Sequence, residues 1–548
     1  MTGGFLGPFR RRAISESDRP LVTLHLSSGT RVLTHGSLMA GAQRYRALLA
    51  ARGVVSGDVV FISLQLSADL LEAFLGAALA GCVPSLLPYP TLKQDAALFW
   101  SSHEALFRHT GAALIVTYPE NRDAIARNVA PDLIRVATPD DRPDVAPDDP
   151  PAVPGPVACL QHSSGTTGLK KGVPLTHEAI LAQVAGYADA IGLTERSRIV
   201  SWLPLYHDMG FVACFLMPLV TGCHVAMLDP FEWLGDPLRL LELAAADRAD
   251  LTWLPNFAFQ HLANCADDRR RVDLAGMRAF INCSETCKAE TLRAFGTRFA
   301  GWGVRREQLA CCYAMAEATF AVTQTEPGRP PREQSFARAA LESRGRAEPS
   351  DAEDGVALVS CGKPIAGTQV VVRDTDRFPV AAGEVGEISI RSPSLFAGYF
   401  GRGQAQHDLF ADGCYLTGDL GFVQDGELFV LGRSDDLIIV QGRNVFAHEI
   451  ERLVGEVAGV KAGRSVAFGR YNAEFGSQDV IVVAEIDTGA PEKAAIRRGI
   501  RSALESTIGI VPGRIALVDQ GWLIKTTSGK ISRGGNRDKF LAAGRETA

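Results

Sequence analysis

The densest cluster of reactive side chains lies between Leu160 and Gly172, in LQHSSGTTGLKKG. Ser163, Ser164, Thr166 and Thr167 supply hydroxyl donors, and Lys171 supplies positive charge. Gly165 and Gly168 let the backbone turn tightly and aim N–H groups inward. VACLQ reads as a strand leading in, and a helical run begins near Thr176. A loop of this make-up between strand and helix suits a polyphosphate. Its glycine and lysine order differs from the G-x-x-x-x-G-K-[ST] phosphate loop, and taken alone it reads equally as a solvated turn.

Further candidates follow along the chain. His207, in SWLPLYHDMG (201–210), can hydrogen-bond a carboxylate or can be structural beside its apolar neighbours. FINCSE (280–285) ends on Cys283, Ser284 and Glu285, and in isolation is the end of a core strand. CYAMAEAT (312–319) carries Tyr313, Ala314, Met315 and Glu317. A carboxylate such as Glu317 can hold a hard divalent cation, which wants oxygen ligands and shares them with phosphate. Asp419, in YLTGDL, is suited to accept hydrogen bonds from hydroxyls. Arg433 and Asp435 follow in GRSDDLIIV. KTTSGKISR (525–533) sets Lys530 beside a glycine, where an ammonium can stabilise developing negative charge; the bland reading is a basic tail.

In this order the segments resemble the landmarks of the acyl-adenylate-forming (AMP-binding) superfamily, from S-G-T-T-G-x-x-K-G at Ser164–Gly172 to the G-K-x-x-R of Lys530 and Arg533. Ile524 stands where proline is usual before the last motif. The H-D-M-G form at 207–210, the A-E-A-T ending, LVSCG (358–362) and the long interval from Glu317 to Cys361 resemble most the fatty acyl-AMP ligase branch. The resemblance implies ATP and Mg²⁺, with Ser163, Ser164, Gly165, Thr166, Thr167, Gly168 and Lys171 around the phosphates. It puts Ser284, Glu285, Tyr313, Ala314 and Met315 along the adenine, and Asp419 and Arg433 at the ribose. It gives Mg²⁺ to Glu317 and Thr167, the substrate carboxylate to His207, and the role of catalytic lysine to Lys530. The reaction implied is activation of a carboxylic acid to acyl-AMP with release of pyrophosphate. Transfer to the phosphopantetheine thiol of a separate acyl carrier protein follows, with CoA as the alternative acceptor. A non-catalytic acyl- or nucleotide-binding relative is the alternative of another class. Cys283 and Ala314 occupy positions usually held by glycine near the acyl pocket, which they and His207 are expected to line. Their added volume predicts an acid other than a plain long-chain fatty acid.

The elements that must position these groups alternate. VVFISL (59–64), ALIVTY (113–118) and HVAMLD (224–229) read as strands, and SADLLEAFLGAALAG as a helix ending near Gly81. Such alternation predicts parallel α/β layers. Beyond about Leu431 the pattern becomes that of a small α+β unit, with DDLIIVQG, SVAFGR and VIVVAEID as strands and HEIERLVGEV and EKAAIRRGIRSALESTIG as helices. The expected organisation is a large N-terminal layered α/β body (1–432), a hinge (433–435) pivoting at Asp435, and a small mobile C-terminal α+β lid (436–548). The Pro- and Asp-rich stretch 138–156 predicts an exposed connection, and 326–356 a partly mobile surface insertion.

Composition narrows the partners. The chain has 548 residues, 46% hydrophobic, with a formal net charge of -6, so nothing global favours nucleic acid. The apolar segments Leu70–Pro88 and Phe211–Val220 are interrupted or too short for a membrane span and predict buried helices. The N-terminus has no apolar signal region. Eleven scattered cysteines predict reduced, mostly structural thiols and a cytoplasmic location.

Overall fold

The computed structural model describes residues 4–90, 96–144, 153, 155–162, 171–352, 355–401, 406–440, 443–472, 477–487, 489–490, 492–525 and 531–545. Ser163, Ser164, Gly165, Thr166, Thr167 and Gly168 of the glycine-rich loop, and Lys530, lie outside the described residues.

Apolar runs without polar alternation should become strands covered on both faces. His224–Leu228 and Leu251–Leu254 do so, as inner strands of a nine-stranded sheet among the described residues. Pro20–Leu26, His224–Leu228, Arg198–Ser201, Leu251–Leu254, Ala279–Asn282 and Leu309–Ala314 run parallel in that order. Antiparallel strands close the edges. A second parallel sheet aligns Val83–Leu86, Val59–Ser63, Leu114–Thr117 and Arg135–Ala137. Val157–His162 and Gly172–Thr176, which flank the glycine-rich segment in sequence, pair antiparallel. An antiparallel sheet containing Gly386–Arg391, Cys414–Gln424 and Glu427–Arg433 completes the α/β body.

Helix ends follow local chemistry. The Ser67 hydroxyl accepts from the Leu70 N–H at the start of Ala68–Leu79, and Gly81 turns the chain away with φ +72°. Thr176 does the same for His177–Ile191, accepting from Ala179 N–H at 3.0 Å, and left-handed Gly192 ends that helix. Each such cap contributes about 1 kcal/mol. No helix among the described residues is long and apolar enough to cross a membrane. Phe211–Val220 forms part of a π-helical segment, Met209–Leu216, followed by Met217–Thr221, and is almost wholly buried.

Past Ile438 a separate small core forms. Helices Ala447–Gly455 and Lys493–Ile508 pack on the strands Val460–Asn472, Ser477–Ile486 and Arg514–Val518.

The insertion at 326–356 holds regular structure of its own. Glu333–Phe336 pairs with Val356–Val359, and the helix Arg338–Arg344 lies between them in sequence. Phe336 is fully buried against Phe422 and Phe429, so apolar packing anchors a segment whose composition is mostly polar. The connection after Thr138 is likewise tied down at its start. Arg142 pairs with Asp69 and with the buried Glu72, the latter at 2.9 Å, which a count of prolines and aspartates cannot reveal.

Candidate active site

The described candidate residues collect where two sheets meet. Tyr313 lies near the C-terminal end of the parallel strand Leu309–Ala314, Asp419 inside the antiparallel strand Cys414–Gln424, and Arg433 opposite it on Glu427–Arg433. The Tyr313 hydroxyl donates to Asp419 Oδ2 at 2.6 Å, and Arg433 Nε stands 3.5 Å from Asp419 Oδ1. Burial pushes the Asp419 carboxyl above the usual range, against the pull of the Arg433 guanidinium and the Tyr313 hydrogen bond. Burial also raises the Tyr313 phenol, and the adjacent carboxylate raises it further, so this hydroxyl stays protonated as a donor.

Glu317 occupies a short 3₁₀ turn, Ala316–Ala318, just past the same strand. Its carboxylate accepts from the Tyr399 hydroxyl at 2.8 Å, and the Tyr399 and Tyr415 hydroxyls lie 3.1 Å apart. Lys171 Nζ sits 4.8 Å from the centre of the Tyr399 ring, a cation–π distance. Phe400 N–H donates to Gly172 O at 2.8 Å, clasping the strand that follows the glycine-rich segment to this site. That strand therefore begins beside a carboxylate, a lysine and a phenol pair. Tyr399 escaped the sequence reading because a lone tyrosine between glycines carries no motif; its side-chain contacts alone single it out.

The remaining candidates form the flank. Cys283 is fully buried after the strand Ala279–Asn282, and Ser284 follows in the left-handed region with φ +67°. The Ser284 hydroxyl points to Met209 Sδ at 3.8 Å, joining this turn to the H-D-M-G segment. Glu285 accepts from Phe257 N–H at 2.9 Å at the start of the helix Asn256–Cys265. Its carboxylate is thus engaged in capping, and a nucleotide there would meet the backbone of 284–285. Half-buried Ala314 pairs with Ala321 across the adjoining strand, and Met315 N–H donates to Phe320 O. His207 accepts Phe211 N–H on its backbone carbonyl at 2.7 Å, and its ring lies 5.6 Å from that of Tyr206. Asp435 is exposed in the turn Ser434–Asp436.

Beside His207 runs an apolar pocket lined by leucines including Leu66, Leu70, Leu86 and Leu203, together with Tyr89 and Tyr206. It is a narrow crevice of about 20 Å³. Cys283 and Ala314 lie outside its lining, at the ends of the strands Ala279–Asn282 and Leu309–Ala314. All eleven cysteines are free thiols, and all but Cys265 are buried.

The insertion reaches the small C-terminal unit. Arg338 bonds Glu449 at 3.0 Å, and Arg443 bonds Glu342 at 2.6 Å, with both glutamates largely buried. Within that unit Arg533, three residues beyond Lys530, pairs with Asp436 at the turn after Arg433 and with Glu451 at 2.8 Å.

The chain is similar to known proteins over most of its length. Residues 9–400 match the family described as AMP-binding enzyme. The chain is 29% identical over 516 residues to a 4-hydroxyphenylalkanoate adenylyltransferase of Mycobacterium tuberculosis, covering 89% of the chain and 83% of that protein. It is 32% identical over 404 residues to JamA of Moorena producens, a medium-chain-fatty-acid–[acyl-carrier-protein] ligase, covering 70% and 68%. A solved fatty acyl-adenylate ligase, from work on the E. coli and L. pneumophila enzymes, superposes with a TM-score of 0.90 at 26% identity, covering 99% and 98%.

Proposed function

Because the chain belongs to the AMP-binding enzyme family and is an AMP-forming acid ligase, we propose that Tyr313, Asp419 and Arg433 hold ATP by its nucleoside while a carboxylic acid attacks the α-phosphate. The observation that carries this assignment is the Asp419 carboxylate, gripped at one oxygen by a buried phenol and facing a guanidinium at the other. Such a group offers acceptor lone pairs to two adjacent ribose hydroxyls. The Tyr313 ring then flanks the base, and the glycine-rich segment with Lys171 surrounds the phosphates.

A carboxylate oxygen of the acid forms the new bond to the α-phosphorus. The bond to the β-phosphate bridging oxygen breaks, and pyrophosphate leaves with the electron pair. No protein nucleophile is needed, so the chain contributes orientation and charge stabilisation. His207 receives the acid's carboxylate, and Lys530 neutralises charge on the α-phosphate and the carboxylate as it develops. Glu317 suits Mg²⁺: it is an oxygen ligand held in place by Tyr399, whose ring faces Lys171. Thr167 completes the pair of protein groups assigned to the ion. When bound, Mg²⁺ neutralises phosphate charge.

In the second half-reaction the acyl carbon passes to a thiol and AMP leaves. We assign the phosphopantetheine thiol of a separate acyl carrier protein as acceptor. The Arg338–Glu449 and Arg443–Glu342 pairs favour it over CoA, because they restrain the small C-terminal unit against the insertion. The lid at 436–548 then moves about 433–435 only when the incoming partner offsets those contacts. The two curated relatives differ in their acids, one acting on 4-hydroxyphenylalkanoates and the other on medium-chain fatty acids.

The deciding experiment has two parts. Pyrophosphate exchange over a panel of acids should identify the acid. The purified adenylate should then load holo-carrier protein and leave CoA unreacted. Consumption of CoA at a comparable rate would discard the carrier assignment, and absence of exchange with every acid would discard the catalytic one.

A further inference from the structure

We infer that His109, on the helix Ala96–Thr110, is a positioning residue for adenylate formation: it anchors one short stretch of chain that sets the Glu317 carboxylate and the glycine-rich segment against each other. The inference rests on the reading above, in which Glu317 takes Mg²⁺ and the glycine-rich segment takes the phosphates.

The stretch is 392–401, an irregular run that follows the strand Gly386–Arg391. It grips the turn that carries Glu317 in three places. Phe396 N–H donates to Glu317 O at 2.9 Å, and the Tyr399 hydroxyl donates to Glu317 Oε1 at 2.8 Å. The Thr319 hydroxyl donates to Ser394 O at 2.7 Å. Thr319 has φ +65°, a region that a β-branched residue enters only when its surroundings impose it. The Glu317 turn is therefore held in shape by 392–401 and not by its own preference. The same stretch reaches the phosphate side. Phe400 N–H donates to Gly172 O at 2.8 Å, and Lys171 Nζ lies 4.8 Å from the centre of the Tyr399 ring.

His109 fixes the far end of this stretch. Its Nε2 lies 3.0 Å from Phe400 O. A carbonyl oxygen only accepts, so Nε2 carries the proton and donates. Phe400 is thus tied at both backbone groups, by Gly172 on one and by His109 on the other. Gly401 makes room for the contact: it has φ +73°, and a Cβ there would stand 3.0 Å from His109 Cε1 and 3.1 Å from Nε2. The Phe400 ring packs on the core that holds Trp100 and Phe107 of the His109 helix. Losing the hydrogen bond therefore leaves 400 docked by apolar contact and frees its carbonyl to shift. The shift passes to Gly172 and, through Tyr399, to Glu317. Tyr313, Asp419 and Arg433 take their contacts from one another, so the nucleoside side is spared.

The test is titration calorimetry on the full chain without acid, with adenosine and with Mg²⁺·ATP as separate ligands. His109→Ala should weaken Mg²⁺·ATP binding about tenfold and leave adenosine affinity unchanged. His109→Gln, whose amide N–H can reach the same carbonyl, should restore most of the loss. His109→Asn, whose amide stops short, should behave like His109→Ala. Equal losses for adenosine and Mg²⁺·ATP in the Ala and Asn variants would reduce His109 to a general packing role and overturn the proposal. Unaltered Mg²⁺·ATP binding in those variants, or no recovery in His109→Gln, would overturn it as well. A wild type that binds Mg²⁺·ATP no more tightly than adenosine would discard the reading of Glu317 and the glycine-rich segment, and this proposal with it.

Discussion

Asp419 has to remain an acceptor in surroundings that disfavour its charge. Burial raises its pKa above 3.8, and Arg433 and Tyr313 oppose the rise without cancelling it. The charged form is therefore lost at a higher pH than in an exposed aspartate. ATP affinity should weaken as the solution is acidified through that raised value, and Asp419→Asn should bind weakly with no such slope, as titration calorimetry across pH would read. Tyr313→Phe keeps the ring but removes a hydrogen bond to a carboxylate, worth roughly 1.5–3 kcal/mol. It should weaken ATP binding by about ten- to a hundredfold without abolishing it. Tyr399→Phe frees the Glu317 carboxylate to wander and should raise the Mg²⁺ concentration needed for half-maximal exchange. At this scale the sequence was informative where residues sat in ordered motifs. Tyr399 was invisible because a tyrosine's pattern is the same whether its hydroxyl is paired or free.

The insertion is the element whose attachment the sequence left open. Its prolines, glycines and charges describe its outer surface. Phe336 and the strand pair it anchors describe its attachment. Arg338 and Glu342 project from its one helix toward Glu449 and Arg443. Glu342→Gln weakens the pairs that Glu342 makes with Arg443 and with Arg338 on its own helix. The expected outcome is a several-fold gain in CoA-dependent turnover relative to carrier loading, with acyl-AMP formation unaltered. Equal ratios in variant and wild type would show that the latch does not govern the acceptor. Whether charges on distant segments meet depends on how the helix docks, which local periodicity does not encode.

At the scale of the molecule, the large body and the small C-terminal unit share a face on which His448 lies. Burial, helped by the charge of Lys288 from the body, lowers the His448 pKa to about 4. A base with a depressed folded pKa stays neutral in the native state while the unfolded chain takes up a proton near 6.5. Stability should therefore fall as pH drops from about 6.5 toward 4, and His448→Gln should flatten that decline in denaturant titrations. Lys530→Ala should abolish acyl-AMP formation yet keep ATP binding; undiminished turnover would remove that lysine from the mechanism. The sequence by itself determined the reaction class and the parallel α/β body. Those depend on local periodicity and on residues that must stand in fixed order around ATP. Only the tertiary structure decided that Asp419 is shared between Tyr313 and Arg433, that Glu317 accepts from Tyr399, and that the insertion is paired with the small unit. Each of these joins residues far apart in the chain, and packing brings such pairs together through the whole core rather than through any one segment.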